Sequence, residues 1–234
     1  MLIQCQDAAF GYDGHIAVDG LNFSLEKGDY LCVAGENGSG KSTLLRGMLG
    51  LIAPLRGSVI RGEGARGTET GYLPQEAAVK KDFPAGVYEI VLSGMAAKMG
   101  LRPFYTLPEK ERAEEAMRSM GVADLRRRCF RELSGGQRRR ALIARALCAC
   151  RGLLALDEPS AGLDPGAQAE LYEMLLRLNR EQGLTIVMVS HDIPAAGKYA
   201  GKILHVKNRQ CFFGASVDYF NSEIGKRFLH KEEG

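Results

Sequence analysis

Eight consecutive residues, Gly35-Glu36-Asn37-Gly38-Ser39-Gly40-Lys41-Ser42, read G-x-x-x-x-G-K-[ST]. Glycines in such a run let successive backbone N–H groups turn inward around phosphate oxygens, and a helix starting there adds its positive end. In that pattern Lys41 reaches the β- and γ-phosphates of a nucleotide, and Ser42 offers its hydroxyl to Mg²⁺. Thr43 can add a contact to the α-phosphate. A second pattern closes an apolar run, Leu153-Leu154-Ala155-Leu156-Asp157-Glu158. A buried strand of this kind delivers two carboxylates to one point, Asp157 suited to Mg²⁺ and Glu158 to orienting and polarising a water. A third, Leu133-Ser134-Gly135-Gly136-Gln137, sets a serine cap before glycines whose N–H groups can face an anion. Together the three offer sites for phosphate, for Mg²⁺ and for a polarised water.

These groups act only if the chain positions them. The apolar run Tyr30–Ala34, the glycines and a helical pattern over 42–51 give strand, turn and helix, the context a phosphate loop requires. Upstream, 2–10 and 21–25 read as strands around a turn at Gly11-Tyr12-Asp13-Gly14. Segments 57–60 and 70–73 read as strands around a Gly-rich, charged turn. Helical patterns then dominate at 87–99, 108–120 and 135–150, with Pro108-Glu109-Lys110-Glu111 as a proline-first, acidic helix start. Alternation returns with strand 153–157, helix 165–182, strand 184–190, helix 192–199 and strands near 202–206 and 210–213, before a short helix from Ser216 to the end. The expected architecture is an α/β nucleotide core, about 1–75 and 151–234, interrupted by a mostly helical insert at about 76–150.

The 234 residues are 45% hydrophobic and 25% charged, which suits one large α/β domain or a core with one subdomain. The longest apolar stretches, 152–156 and 184–189, fall far short of the roughly 18 to 20 residues that span a bilayer. The first seven residues lack the basic start and apolar core of a signal peptide. The expectation is a cytoplasmic chain that reaches a membrane only through a partner. In a reducing cytosol the cysteines at 5, 32, 129, 148, 150 and 211 are expected as free thiols. On a helix Cys148 and Cys150 point about 200° apart, and no second ligand pair follows, so a buried, inert pair is expected. A net charge of +3 does not imply nucleic acid, and only Phe130 interleaves with the arginines at 126, 127, 128, 131, 138, 139 and 140. Those arginines read as a solvated face or one turned towards acidic loops.

Leu133 to Gln137 matches the LSGGQ signature of ATP-binding cassette (ABC) ATPases letter for letter, and Ala141-Leu142-Ile143-Ala144-Arg145-Ala146-Leu147 resembles its usual continuation. The phosphate loop, signature and acidic pair stand in that family's order, and the likeness covers nearly the whole chain. By resemblance, Tyr12 is the aromatic that stacks on adenine. Gln75, in Tyr72-Leu73-Pro74-Gln75, contacts Mg²⁺ or the water. Ser160-Ala161-Gly162-Leu163-Asp164 is the loop that runs across a dimer, and His191 meets the γ-phosphate. The resemblance implies a P-loop NTPase core of ABC type with an antiparallel β subdomain and an inserted helical subdomain. Its ligands would be ATP and Mg²⁺, the latter held by Ser42, Gln75 and Asp157. Two copies would sandwich two ATP molecules. Gly35, Asn37, Gly38, Ser39, Gly40, Lys41, Ser42 and Thr43 of one copy would face Ser134, Gly135, Gly136 and Gln137 of the other, with Asp164 nearby. Catalysis would fall to Glu158, His191, Lys41 and Gln75. One departure stands out. Glutamines often follow the signature, whereas Arg138-Arg139-Arg140 follow it here. Arg140 fits the family, while Arg138 and Arg139 are expected to meet an acidic surface or stay solvated.

Soluble ABC ATPases of DNA or ribosomes usually carry two fused cassettes or long coiled-coil insertions. A single cassette without sustained heptads resembles instead a transport engine, peripheral on the inner face of the cell membrane through separate permease subunits. A substrate-binding protein would complete the system, and no nucleic acid is expected. The segment 81–94, with its Phe83-Pro84-Ala85-Gly86-Val87 start, resembles ATPases of zinc and manganese importers, as does the short length. Iron-siderophore and cobalamin importers carry a related segment and form the alternative.

Overall fold

The computed structural model describes residues 1–65, 69–75 and 84–231. Strands β1 (Ile3–Tyr12), β2 (His15–Leu25) and β4 (Arg56–Arg61) form an antiparallel sheet in the order β2-β1-β4. The turn between β1 and β2 is only Asp13-Gly14, both at positive φ (51° and 78°), the two-residue hairpin geometry that matches strand twist. The expected four-residue turn is therefore shorter. Strand β2 begins at His15 rather than Leu21, because pairing carries on through Phe10↔Val18 and Tyr12↔His15.

The second sheet holds β3 (Tyr30–Ala34), β5 (Thr70–Leu73), β6 (Leu153–Asp157), β7 (Thr185–Val189), β8 (Lys202–Val206) and β9 (Gln210–Ala215). Its order is β5-β6-β7-β3-β8-β9, parallel except for the antiparallel edge β9. Strands β4 and β5, which the sequence sets around one turn, thus belong to different sheets.

Every residue of β3, β6 and β7 is buried, as expected for parallel strands covered on both faces. Alternate residues enter different cores. Leu31, Val33, Leu153, Ala155, Val187 and Val189 pack with Phe10 and Leu21 of the antiparallel sheet and with Leu44 and Leu45 of α1 (Lys41–Met48). Tyr30, Cys32, Leu154, Leu156, Ile186 and Met188 pack with α5 (Gly135–Ala149), α6 (Pro165–Gln182) and α7 (Ile193–Tyr199). The β3 and β6 C-terminal ends, which carry the chemistry, are clamped between two apolar layers.

Between β5 and β6 the chain forms α2 (Val87–Leu92), α3 (Ala96–Met99), α4 (Leu107–Ser119) and α5. The helix expected over 87–99 is interrupted at Ser93–Met95, where it tightens to a 3₁₀ turn. Packing explains the break: a Cβ on Gly94 would lie 2.0 Å from the Arg145 carbonyl oxygen, so α5 passes against bare backbone there. Arg145 Nε also donates to Ser93 Oγ at 2.9 Å. Helix α4 starts as its sequence suggests. The Glu109 carboxylate accepts from the Thr106 N–H at 2.7 Å and from Arg102 at 2.8 Å, contacts that hold its pKa down at about 2, Arg102 contributing most. The C-terminal helix divides into α8 (Ser216–Asn221) and α9 (Glu223–Lys231). Ser222 sits at the division and accepts from the Gly225 N–H. Buried His205 on β8 meets the Tyr219 hydroxyl at 2.7 Å and so fastens α8 to the sheet.

All six cysteines are free. Cys148 and Cys150 are buried, and burial pushes both thiols up to about 11. Among the described residues no helix is long and apolar enough to cross a membrane.

The Gly94 contact gives the first prediction. Gly94→Ala should destabilise the chain by about 1–3 kcal/mol, because α5 must shift to admit the methyl group. Urea unfolding measures it, and an unchanged midpoint would show that the close approach is not required.

Candidate nucleotide-binding site

Phosphate-loop geometry follows from three glycines at positive φ: Gly35 (148°), Gly38 (77°) and Gly40 (93°). Two of them also touch neighbouring backbone. A Cβ on Gly35 would lie 2.2 Å from the Val206 carbonyl oxygen, and one on Gly40 would lie 2.8 Å from that of Ala17. The loop wraps around Lys41, whose Nζ donates to the carbonyls of Gly35 and Glu36, each at 2.9 Å. Only 5% of Lys41 is exposed, and burial lowers its pKa against the opposing pull of Glu158 and Asp157. Ser39 adds a buried hydroxyl with no hydrogen-bond partner among the described residues. A concave loop with a buried cation and an unspent hydroxyl suits a polyanion.

Asp157 ends β6 beside the start of α1, and Ser42 Oγ donates to its Oδ1 at 3.1 Å. The carboxyl is 1% exposed, and burial raises its pKa, with the Ser42 bond opposing. A hydroxyl and a desolvated carboxylate in contact are hard oxygen donors, so these residues fit Mg²⁺.

Glu158 follows at φ 50°, a left-handed conformation uncommon outside glycine, and its N–H donates to the Val189 carbonyl at 3.1 Å. Two further expected residues converge on its Oε2: Gln75 Nε2 donates at 3.0 Å, and His191 Nδ1 lies 3.9 Å away. They arrive from the ends of β5 and β7, the two neighbours of β6 in the sheet. Tyr12 is exposed at its hairpin, and its hydroxyl accepts from Arg46 of α1 at 3.1 Å, which keeps the ring near the helix that follows the phosphate loop.

The signature forms the start of α5. Ser134 Oγ accepts from the Gln137 N–H at 3.2 Å, and Gln137 Oε1 accepts from the Ser134 N–H at 3.1 Å, a reciprocal helix start. Among the described residues, a Cβ on Gly135 would meet nothing within 4 Å, and one on Gly136 would touch only Leu163 and Ala167. Ser134 and Gln137 bond each other, not the phosphate loop of their own chain. Asp164 caps α6 by accepting from the Ala167 N–H at 3.0 Å. Asn37 is exposed on the loop, and Thr43 lies in the first turn of α1. Of the 81–94 segment, residues 81–83, including Phe83, lie outside the described residues.

Two supporting residues were not expected. Asn208, at φ 57° in the turn between β8 and β9, donates from Nδ2 to the carbonyls of Ala17 (3.1 Å) and Gly38 (3.4 Å). Its N–H donates to the Ser39 carbonyl at 3.1 Å, and its own carbonyl accepts from Asp19 at 2.9 Å. An asparagine after a strand signals a turn, but nothing local shows what the turn touches. Arg139 departs from the expectation of a solvated residue more plainly: it donates to the carbonyls of Glu158 and Pro159, with the Asp157 and Glu158 carboxylates near enough to act on its charge.

A parallel sheet that ends in a phosphate loop and a carboxylate pair, joined to an antiparallel sheet and a helical segment bearing a capped glycine turn, defines an ATP-driven cassette. The ABC transporter family matches residues 18–161, and the chain belongs to that family as an ATP-binding, ATP-hydrolysing subunit. It is similar to the zinc uptake system ATP-binding protein ZurA of Listeria innocua, 35% identical over 224 residues, 93% of this chain and 87% of that one. It is similar also to the manganese transport system ATP-binding protein MntB of Bacillus subtilis, 31% identical over 224 residues, 94% and 89% of the two chains. Among solved structures, a chain of an ABC transporter in an inward-facing conformation superposes with a TM-score of 0.85 at 31% identity, covering 98% of this chain and 89% of that one.

The Asn208 contacts predict a graded loss. Asn208→Gly keeps the left-handed backbone and loses two side-chain bonds, whereas Asn208→Ala also strains the turn. The alanine variant should be the less stable by about 1 kcal/mol in denaturant unfolding. Hydrogen exchange at the Asn208 and Asp19 amides should quicken in both variants, and equal stability of the two would exclude the backbone argument.

Proposed function

We propose that this chain powers import of a divalent metal ion, zinc or manganese, by hydrolysing ATP as one half of a two-copy sandwich docked on membrane permease subunits. Gln75 and His191 converge on Glu158 beside Lys41, Ser42 and Asp157, and this one observation carries the catalytic reading. The cargo reading rests on the likeness to zinc and manganese system proteins along nearly the full chain.

In this reading the N–H groups of the phosphate loop and Lys41 bind the phosphates, and Tyr12 stacks on adenine. Ser42, Asp157 and Gln75 hold Mg²⁺, which when bound neutralises charge on the β- and γ-phosphate oxygens. Glu158 orients the attacking water and draws off its proton as the oxygen bonds to γ-phosphorus and the bridge to ADP breaks. Gln75 fixes the Glu158 carboxylate, and His191 steadies the γ-phosphate. The open glycines at 135 and 136, with Ser134 and Gln137, close over the ATP of a second copy. ATP then binds the closed pair better than the open one, and phosphate release reopens it. Permease subunits, served by a substrate-binding protein, hold the chain at the inner face of the membrane.

Glu158→Gln keeps the shape and removes the base, so turnover should fall by about 10²–10⁴-fold while an ATP-dependent dimer accumulates on sizing. Wild type without hydrolysis, even with its permease subunits, would sink the enzymatic reading. In proteoliposomes with the permease and binding protein, zinc or manganese should stimulate turnover. Stimulation by a ferric siderophore instead would overturn the cargo.

A further inference from the structure

Arg139 occupies the second turn of α5, directly after the signature residues that start the helix. Its Nε donates to the Pro159 carbonyl at 2.7 Å, and Nη2 donates to the Glu158 carbonyl. That carbonyl also accepts from the Ala161 N–H at 3.2 Å, while the Glu158 N–H is tied to Val189 at 3.1 Å. Both peptide groups flanking the Glu158 side chain are therefore pinned, which is what a residue at φ 50° needs to hold one conformation. Of these ties, only Arg139 comes from the signature helix. A rigid helix transmits a shift of its first turn to its second, and a planar guanidinium bonded to two carbonyls hands that shift to the backbone beneath the carboxylate. Glutamine, the residue often found here, is shorter and offers a single amide nitrogen.

We propose that Arg139 is a positioning residue that couples the two ATP sites of the assembly, tying the backbone of Glu158 at one ATP to the helix whose first turn covers the other. This rests on the two-copy sandwich proposed above. When a second copy's ATP docks on Ser134–Gln137, the start of α5 is drawn into place and Glu158 is drawn with it. Each carboxylate becomes competent only when both nucleotides are bound, so hydrolysis depends cooperatively on ATP.

The test compares wild type with Arg139→Ala, Arg139→Gln and Arg139→Lys as full-length chains, with the permease subunits present, by turnover against ATP concentration. Wild type should give a Hill coefficient above 1. In R139A kcat should fall about tenfold or more, because a small misplacement of a catalytic group is costly, while the half-saturating ATP concentration stays within about twofold. Its Hill coefficient should drop towards 1. The doubly substituted chain with Glu158→Gln should still form the ATP-dependent dimer. R139K, which keeps the charge but loses the fork, should lie between wild type and R139A. A wild-type coefficient of 1, or an R139A profile that matches wild type, overturns the coupling. So does a loss of kcat in R139A that comes with equal losses of thermal stability and dimer. If R139A fails to fold, R139Q and R139K carry the same readouts. Absence of hydrolysis in wild type would instead defeat the ATPase reading on which the inference stands.

Discussion

Lys41 holds its ammonium group where water hardly reaches, and an ammonium there must be met by dipoles or anions at short range. The carbonyls of Gly35 and Glu36 meet it, which requires the loop to curl back on itself. That curl places Gly35 and Gly40 so close to neighbouring backbone that no other residue fits. It also turns the Ser39 hydroxyl into a buried position with no partner among the described residues. The loop is thus closed around its cation before any phosphate arrives, and a polyanion entering it meets charge that needs no rearrangement. Asp157 and Glu158 lie near enough to oppose the lowering of the lysine's pKa, so the β6 carboxylates and the loop form one electrostatic unit.

Such a unit holds its geometry only on a stiff support. Alternation along β3, β6 and β7 sends successive side chains into two separate cores, so the strand ends cannot tilt without disturbing both. Backbone contacts then tie the loops to that platform. Asn208 links the phosphate loop to β2, the strand paired with the one that carries Tyr12. On the other side, Ser160 Oγ meets the Tyr172 hydroxyl at 2.9 Å, and Gln168 bridges from that hydroxyl (3.3 Å) to Asp192 (2.8 Å). The loop after Glu158 and the turn that bears His191 are therefore joined through α6.

Much of this was legible in the sequence because it is local. A glycine run before Lys41, an apolar strand ending in two acids and a serine followed three residues later by glutamine each encode their own geometry. The α/β core and its helical insert followed from periodicity, whereas the antiparallel sheet was implied by the family resemblance. What escaped was long-range. Whether 57–60 and 70–73 share a sheet depends on β1 and β6, not on the residues between them. The break at Ser93-Gly94 is set by the path of α5. Arg139 looked like one more surface arginine in a basic run, since no pattern within ten residues shows that two carbonyls lie across from it.

The placement of the signature bears on the proposed two-copy sandwich. Ser134 and Gln137 satisfy one another, so the start of α5 is capped by its own residues, and among the described residues nothing lies within 4 Å of a Cβ built on Gly135. A helix start, whose first N–H groups lie outside the helix's own ladder, attracts anions. Here the anion-binding loop and the anion-attracting turn are both preformed, each by bonds within its own segment. In the proposed sandwich, closure by a second copy would join two finished surfaces instead of folding a new one, which would keep its ordering cost low. The free energy of ATP binding would then be available for moving attached permease subunits, and in the proposed coupling the Arg139 tie from the signature helix to Glu158 makes hydrolysis wait for that movement.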